Sequence, residues 1–309
     1  MDLSSLIFSD LFIPEDLMGE PWYKESPSSM DCRSISAECR EDVDRLRDLL
    51  VSMSSQQKFR IDFEGMRLRV QRMDTSGGSV FVCRRFLVAP ISLPALGFPP
   101  QIAQRLLSKD MKNGFILFTG SPGAGKTTTA MALVVEWLTI HGGVCWTVEN
   151  PIEINISGQH GKGKCYQTES QDDSGFGRDI ISIKRASPNL IMVGEIMDED
   201  AARQAIIASL SGRLVVSTFH ANNVVEGLEG FASMVSNRNG LASSLRAVLH
   251  LELRIDPSAP QKRILRVEPL LVTGNSADAI RSMIRSGEFY QIKSEIDRQR
   301  VLFMENGLP

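Results

Sequence analysis

GFILFTGSPGAGKTTTAMALVVEWL, residues 114–138, decides how the rest of the chain is read. An apolar run ending at Thr119 meets Gly120-Ser121-Pro122-Gly123-Ala124-Gly125-Lys126-Thr127, which fits the phosphate-loop pattern G-x-x-x-x-G-K-[ST]. A second apolar run, residues 131–138, follows with helical character. Strand, glycine-rich loop and helix in this order are the setting in which the pattern cradles phosphate. The glycines let backbone N–H groups converge on phosphate oxygens, and the helix N-terminus adds positive potential. Lys126 has the reach for β- and γ-phosphates, and the Thr127 hydroxyl is suited to Mg²⁺, with Thr128 next to it in the cofactor-binding set.

Three further apolar runs, residues 144–148, 190–193 and 214–218, alternate with helical patterns downstream. That spacing predicts a mostly parallel α/β sheet. In such sheets ligands bind at the carboxyl ends of the strands, so the polar residues that close each run are the candidates. Glu195, after Leu190–Val193 and Gly194, is placed to act on Mg²⁺ and the attacking water. Glu149 and Glu153, in Glu149-Asn150-Pro151-Ile152-Glu153, are candidates to orient metal-bound water or activate the nucleophile. His220 closes Ser217-Thr218-Phe219-His220 and can serve as a donor to a γ-phosphate. Glu195, Glu153, Glu149 and His220 form the expected catalytic set, and Thr127 with Glu195 the expected metal set.

Upstream the texture differs. Residues 1–40 mix short apolar patches with Pro14, Pro21, Ser26, Pro27, Ser28 and Ser29, and read as a poorly ordered extension. From Glu41, Val43, Leu46, Leu49, Leu50 and Met53 follow helical spacing. KFRIDFEGMRLRV (58–70) alternates around Glu64-Gly65, and residues 79–86 form another β-like run, which makes 41–89 a small α+β domain. PISLPALGFPP (90–100) holds four of the 14 prolines and reads as a linker. Residues 101–240 then form the nucleotide-binding core. Beyond it come an amphipathic stretch at 241–250, a Pro257/Pro260 break, a strand-like run at 263–272 and two helices from Ala277, so 241–309 reads as a helical C-terminal portion.

Composition narrows the class. The chain has 309 residues, 42% hydrophobic and 23% charged, which suits a globular protein of two domains rather than a disordered one. Its 34 Lys and Arg are offset by 37 Asp and Glu, and basic and aromatic residues do not interleave, so direct nucleic-acid binding is not expected. Five scattered cysteines without a C-x-x-C pair predict buried thiols in a reducing compartment. No apolar run approaches the ~18–20 residues of a membrane span, and residues 1–10 lack signal-peptide character, so a cytosolic protein is expected.

The motifs in this order resemble the secretion and type IV pilus (GspE/PilT-like) ATPase superfamily. GSPGAGKT (120–127) matches its Walker A loop, TVENPIE (147–153) its Asp box, ASPNLIMVGE (186–195) its Walker B and STFHANN (217–223) its His box. LASSLRAVLH (241–250) and AIRSMIRSGEFYQIKSEI (279–296) resemble the helical tail of the PilT type of pilus retraction motor, the type to which the chain is most similar. FRIDFEGMRLRVQR (59–72) and VFVCRRF (80–86) resemble the family's PAS-like domain. The resemblance implies a RecA-like P-loop NTPase domain behind a smaller PAS-like α+β domain. It also implies ATP and Mg²⁺ as cofactors, nucleotide held between the two domains, and a homo-hexameric ring that powers pilus retraction or secretion-system dynamics. By position it assigns Arg69 and Arg84 to clamping phosphates. The ring would lie at the inner face of the inner membrane, attached through a platform protein. Asn150 stands where the family has Asp, and Met197 where it commonly has Arg. These departures keep open a non-catalytic nucleotide-binding assembly subunit of a conjugative or secretion apparatus.

Overall fold

The computed structural model describes residues 2–16, 19–25, 30–85, 92–171, 173–256 and 258–305. It divides into two units, one of Met1–Val88 with Glu153–Asn155, the other of Ala89–Ile152 with Ile156–Pro309.

In the first unit the strands are β1 (Asp10–Pro14), β2 (Trp22–Lys24), β3 (Arg33–Ser34), β4 (Lys58–Phe63), β5 (Met66–Thr75) and β6 (Gly78–Arg85), with helix α1 (Arg40–Ser52) between β3 and β4. They form an antiparallel sheet in the order β3-β2-β1-β6-β5-β4. Period-two alternation puts Phe59, Ile61, Met66, Leu68, Val70, Phe81 and Cys83 on one face, where Val43, Leu46 and Leu50 of α1 complete a core.

That arrangement corrects the expectation for residues 1–40. β1 lies inside the sheet between β2 and β6, with Leu11 and Ile13 fully buried, and Phe12 stacks on Trp22 at 3.7 Å between ring centroids. Five residues flanked by turn formers carry little local signal. Burying each of these side chains contributes about 1.5–3 kcal/mol, and that gain arises only through pairing with a strand some 70 residues away in sequence. Ser26–Ser29, singled out above, lie outside the described residues, as do Phe86, Pro90, Ile91 and Pro257. The rest of the expected linker, from Ser92, is turns, and Pro100 opens the next helix, α2 (Pro100–Leu106).

The second unit continues with β7 (Gly114–Gly120), α3 (Lys126–His141), β8 (Gly143–Glu149), β9 (Gly158–His160), β10 (Gly163–Glu169), α4 (Phe176–Lys184), β11 (Leu190–Glu195), α5 (Glu199–Leu210), β12 (Leu214–His220), α6 (Val224–Met234), α7 (Arg238–Ser244), β13 (Leu245–Asp256), β14 (Ala259–Leu271), α8 (Ala277–Ser286) and α9 (Ile292–Glu305). Its sheet runs β14-β13-β7-β12-β11-β8-β10-β9, parallel from β13 to β10, with β14 and β9 antiparallel at the edges. All seven residues of β7 are buried, as a parallel strand covered on both faces requires. Phe115, Leu117, Ile191, Val193 and Val215 meet side chains of α4, α5, α6 and α8 in one core.

The C-terminal portion is not wholly helical. α7 stops at Ser244, and residues 245–250, expected to belong to a helical tail, begin the long β13–β14 hairpin instead. Leu245, Ala247, Val248, Leu249 and Leu251 are all fully buried, and a short, densely apolar run of this kind suits a buried strand as well as a helix. The two expected C-terminal helices are α8 and α9. Cys39, Cys83, Cys145 and Cys165 are buried free thiols, while Cys32 is exposed. Among the described residues no helix is long and apolar enough to cross a membrane.

Candidate functional site

Parallel pairing brings the carboxyl ends of β7, β12, β11 and β8 to one edge of the sheet, the edge at which α/β folds bind ligands. His220 is in register with Gly120, Glu195 with Thr218, and Val193 with Val148. The three strand ends singled out in the sequence therefore share the edge that carries the phosphate loop.

The loop takes its shape from backbone that only glycine adopts readily. Gly120, Gly123 and Gly125 have φ of 152°, 77° and 86°. Gly125 ends the loop in a left-handed conformation and caps α3, leaving the first-turn N–H groups of a 16-residue helix aimed into the loop. Lys126, the first residue of α3, is buried, yet its Nζ donates to the carbonyl oxygens of Gly120 at 2.9 Å and Ser121 at 3.3 Å. Glu195 Oε1 lies 3.9 Å from the same ammonium. His220 Nδ1 is 3.2 Å from the Gly120 carbonyl oxygen, and since a carbonyl only accepts, Nδ1 carries the proton in this contact.

Glu195 is presented by a break in the ladder. The register between β11 and β12 shifts between Val193 and Glu195, and the hydroxyls of Ser217 and Thr218 each donate to Gly194 O at 3.2 Å. The bulge re-aims the residue that follows it. In the sequence Ser217 and Thr218 are only polar residues at a strand end; in the fold their hydroxyls tie β12 to that bulge.

Thr127 is the second residue of α3 and half-buried, and the Glu195 side chain is 41% exposed. Among the described residues no three His, Cys, Asp or Glu side chains group as a metal cage. A hydroxyl and a carboxylate beside a phosphate loop still fit Mg²⁺, which keeps water and shares phosphate oxygens rather than filling an all-protein cage.

The other candidates stand apart. Glu149 ends β8 but is buried, its Oε1 accepting from Thr147 Oγ1 at 2.6 Å and Gln167 Nε2 at 2.9 Å. Glu153 is exposed and groups with the first unit, where its charge favours the cationic form of Arg69. Arg69 and Arg84 are direct cross-strand partners on β5 and β6. Burial, and next the Arg84 charge, lower the Arg69 pKa. Arg84 Nε donates to Asp10 Oδ1 at 2.7 Å.

The sequence model of the family described as type II/IV secretion system protein matches residues 53–298. The chain belongs to that family. Among the relatives of this type II/IV secretion family member, the type IV pilus assembly ATPase TfpB of Acinetobacter baylyi is 37% identical over 165 residues, covering 52% of this chain and 27% of that protein. The type II secretion system protein E of Aeromonas hydrophila is 34% identical over 193 residues, covering 62% of this chain and 38% of that one. The chain thus spans well under two thirds of either relative's length. Among solved structures, the pilus retraction motor PilT with bound ADP superposes with a TM-score of 0.75 over 94% of this chain and 86% of that chain, at 22% identity. At that identity the likeness is one of fold, and it places this family member in the fold of the P-loop secretion and pilus ATPases.

Proposed function

We propose that the chain is the ATP-hydrolysing subunit of a homo-hexameric motor that drives pilus retraction or the dynamics of a related secretion apparatus. The observation that carries this reading is the meeting of Lys126 and His220 at the Gly120 carbonyl, with Glu195 3.9 Å from the Lys126 ammonium, on the ligand-binding edge of a parallel sheet. Family membership and the named relatives support its coarser part, an ATPase of the secretion and pilus family.

The chemistry asked of such a site is positioning and charge stabilisation. The loop amides and the N-terminus of α3 bind the phosphate chain. Lys126 exchanges its carbonyl partners for phosphate oxygens, and Glu195, freed from that ammonium, accepts a hydrogen bond from the attacking water and orients it. Thr127 and Glu195 would hold Mg²⁺, which would supply charge neutralisation on the phosphates. His220 donates through Nδ1, so the γ-phosphate and the Gly120 carbonyl compete for one proton, which couples the state of the nucleotide to the end of β12. In this proposal Glu149 and Glu153 have catalytic roles, and Arg69 and Arg84, by the family resemblance, have a role in clamping phosphates. The motor works at the inner face of the inner membrane, attached through a platform protein.

Phosphate release by the purified chain, with and without Lys126→Ala, tests the reading. Loss of the ammonium is expected to weaken nucleotide binding by roughly ten- to a hundredfold and to remove turnover with it. Release unchanged by Lys126→Ala would overturn the site assignment. Nucleotide bound by the wild type without release would make the chain a non-catalytic subunit.

A further inference from the structure

His250 lies on β13 opposite Thr119, the last residue of β7 before the phosphate loop, and its Nδ1 is 3.2 Å from Thr119 Oγ1. Thr119 is fully buried. The strand end it occupies is packed from two sides with no slack. A Cβ on Gly227 of α6 would sit 2.6 Å from Thr119 Cγ2, and a Cβ on Gly120 would sit 2.6 Å from the backbone oxygen of Leu251, the neighbour of His250. The Gly120 carbonyl is the one that Lys126 and His220 share. A contiguous run of contacts therefore leads from His250 through Thr119 and Gly120 to Lys126.

We propose that His250 is a positioning residue of the phosphate loop, fixing the Thr119–Gly120 strand end through the Thr119 hydroxyl and, when protonated, adding a second positive charge that strengthens the loop's hold on nucleotide phosphates. The inference rests on the nucleotide-binding reading above.

The charges around His250 give the direction of this coupling. Glu268 faces it from β14, Glu252 from β13 itself, Glu226 from α6 and Lys126 from α3. Burial holds the imidazole pKa below its ordinary value; the three carboxylates push it back up, and Lys126 pushes it further down. Burial thus favours the neutral imidazole. Phosphate brought to Lys126 offsets the charge that opposes protonation, so phosphate and proton favour each other, by the same factor in each direction.

The test is the affinity of the full chain for a non-hydrolysable ATP analogue with Mg²⁺, measured from about pH 7.5 to about pH 5.5 for the wild type and His250→Gln. Nucleotide and other side chains titrate equally in both proteins, so their ratio isolates His250. The wild type is expected to gain roughly three- to tenfold in affinity relative to His250→Gln as pH falls. Thr119→Val should lose affinity at neutral pH yet keep the pH-dependent gain, because it removes the hydrogen bond and leaves the imidazole. Parallel pH profiles for wild type and His250→Gln would overturn the proposal while leaving the nucleotide reading intact. No binding by the wild type at any pH would overturn both. Should His250→Gln fail to fold, an NMR pH titration of the assigned His250 ring in the wild type, with and without the analogue, decides: a pKa raised by the bound analogue supports the proposal, and an unchanged one overturns it.

Discussion

Gly120 concentrates the constraints of the site in one residue. Its φ of 152° disfavours any side chain, and a Cβ there would meet the Leu251 backbone oxygen at 2.6 Å and Ala124 Cβ at 3.0 Å. Backbone cannot yield as a flexible side chain does, so Gly120→Ala is expected to destabilise the chain by roughly 1–3 kcal/mol and to weaken nucleotide binding. Urea denaturation alongside a nucleotide titration measures both, and an Ala variant unchanged in both would contradict the packing described. Lys126 and Glu195 were legible as a pair because strand-loop-helix and strand-plus-carboxylate are local patterns. Glu149 and Arg84 were legible as site candidates, but the partners that hold them were not. Glu149 is held by Thr147, two residues back, and also by Gln167, 18 residues on, and Arg84 by Asp10, 74 residues back; the two long spacings are written in no local pattern.

Elements divide along the same line. α1, β4 and β5 follow from their own periodicity. β1 and β13 do not, because each is a strand only by virtue of the neighbours it pairs with, β6 and β2 for one, β7 and β14 for the other. α9 shows how an edge is closed from a distance. The Gln299 amide accepts from Leu271 N at 2.8 Å and donates to Leu271 O at 2.9 Å, pairing the last residue of edge strand β14. Glu295, one turn earlier, accepts from Gln299 and Arg298, and its pKa is lowered to about 2, chiefly by the Arg298 hydrogen bond. A carboxylate depressed in the folded state contributes stability that is complete above its unfolded pKa of about 4.5 and is lost as pH falls toward about 2. Thermal melts of the wild type and Glu295→Gln should therefore differ above about pH 5 and converge in acid; a gap that persists at about pH 2 would contradict this pairing.

At the scale of the whole molecule, a near-neutral chain of two-domain size excluded classes of protein more than it identified one. The parallel sheet gives the separate motifs a common edge, and the first unit recruits its N-terminal strands into one antiparallel sheet. Ring assembly belongs at this scale as well: sedimentation velocity with Mg²⁺ and nucleotide is expected to show a species of six chains, and a monomer under all such conditions would contradict the hexamer. The central claim is that this site hydrolyses ATP through Glu195, and its most direct test is Glu195→Gln, read by nucleotide affinity and phosphate release in the same preparation. The account predicts affinity within a few-fold of the wild type and release slowed by roughly 10²–10⁴-fold. Steady-state release at the wild-type rate from Glu195→Gln would contradict it.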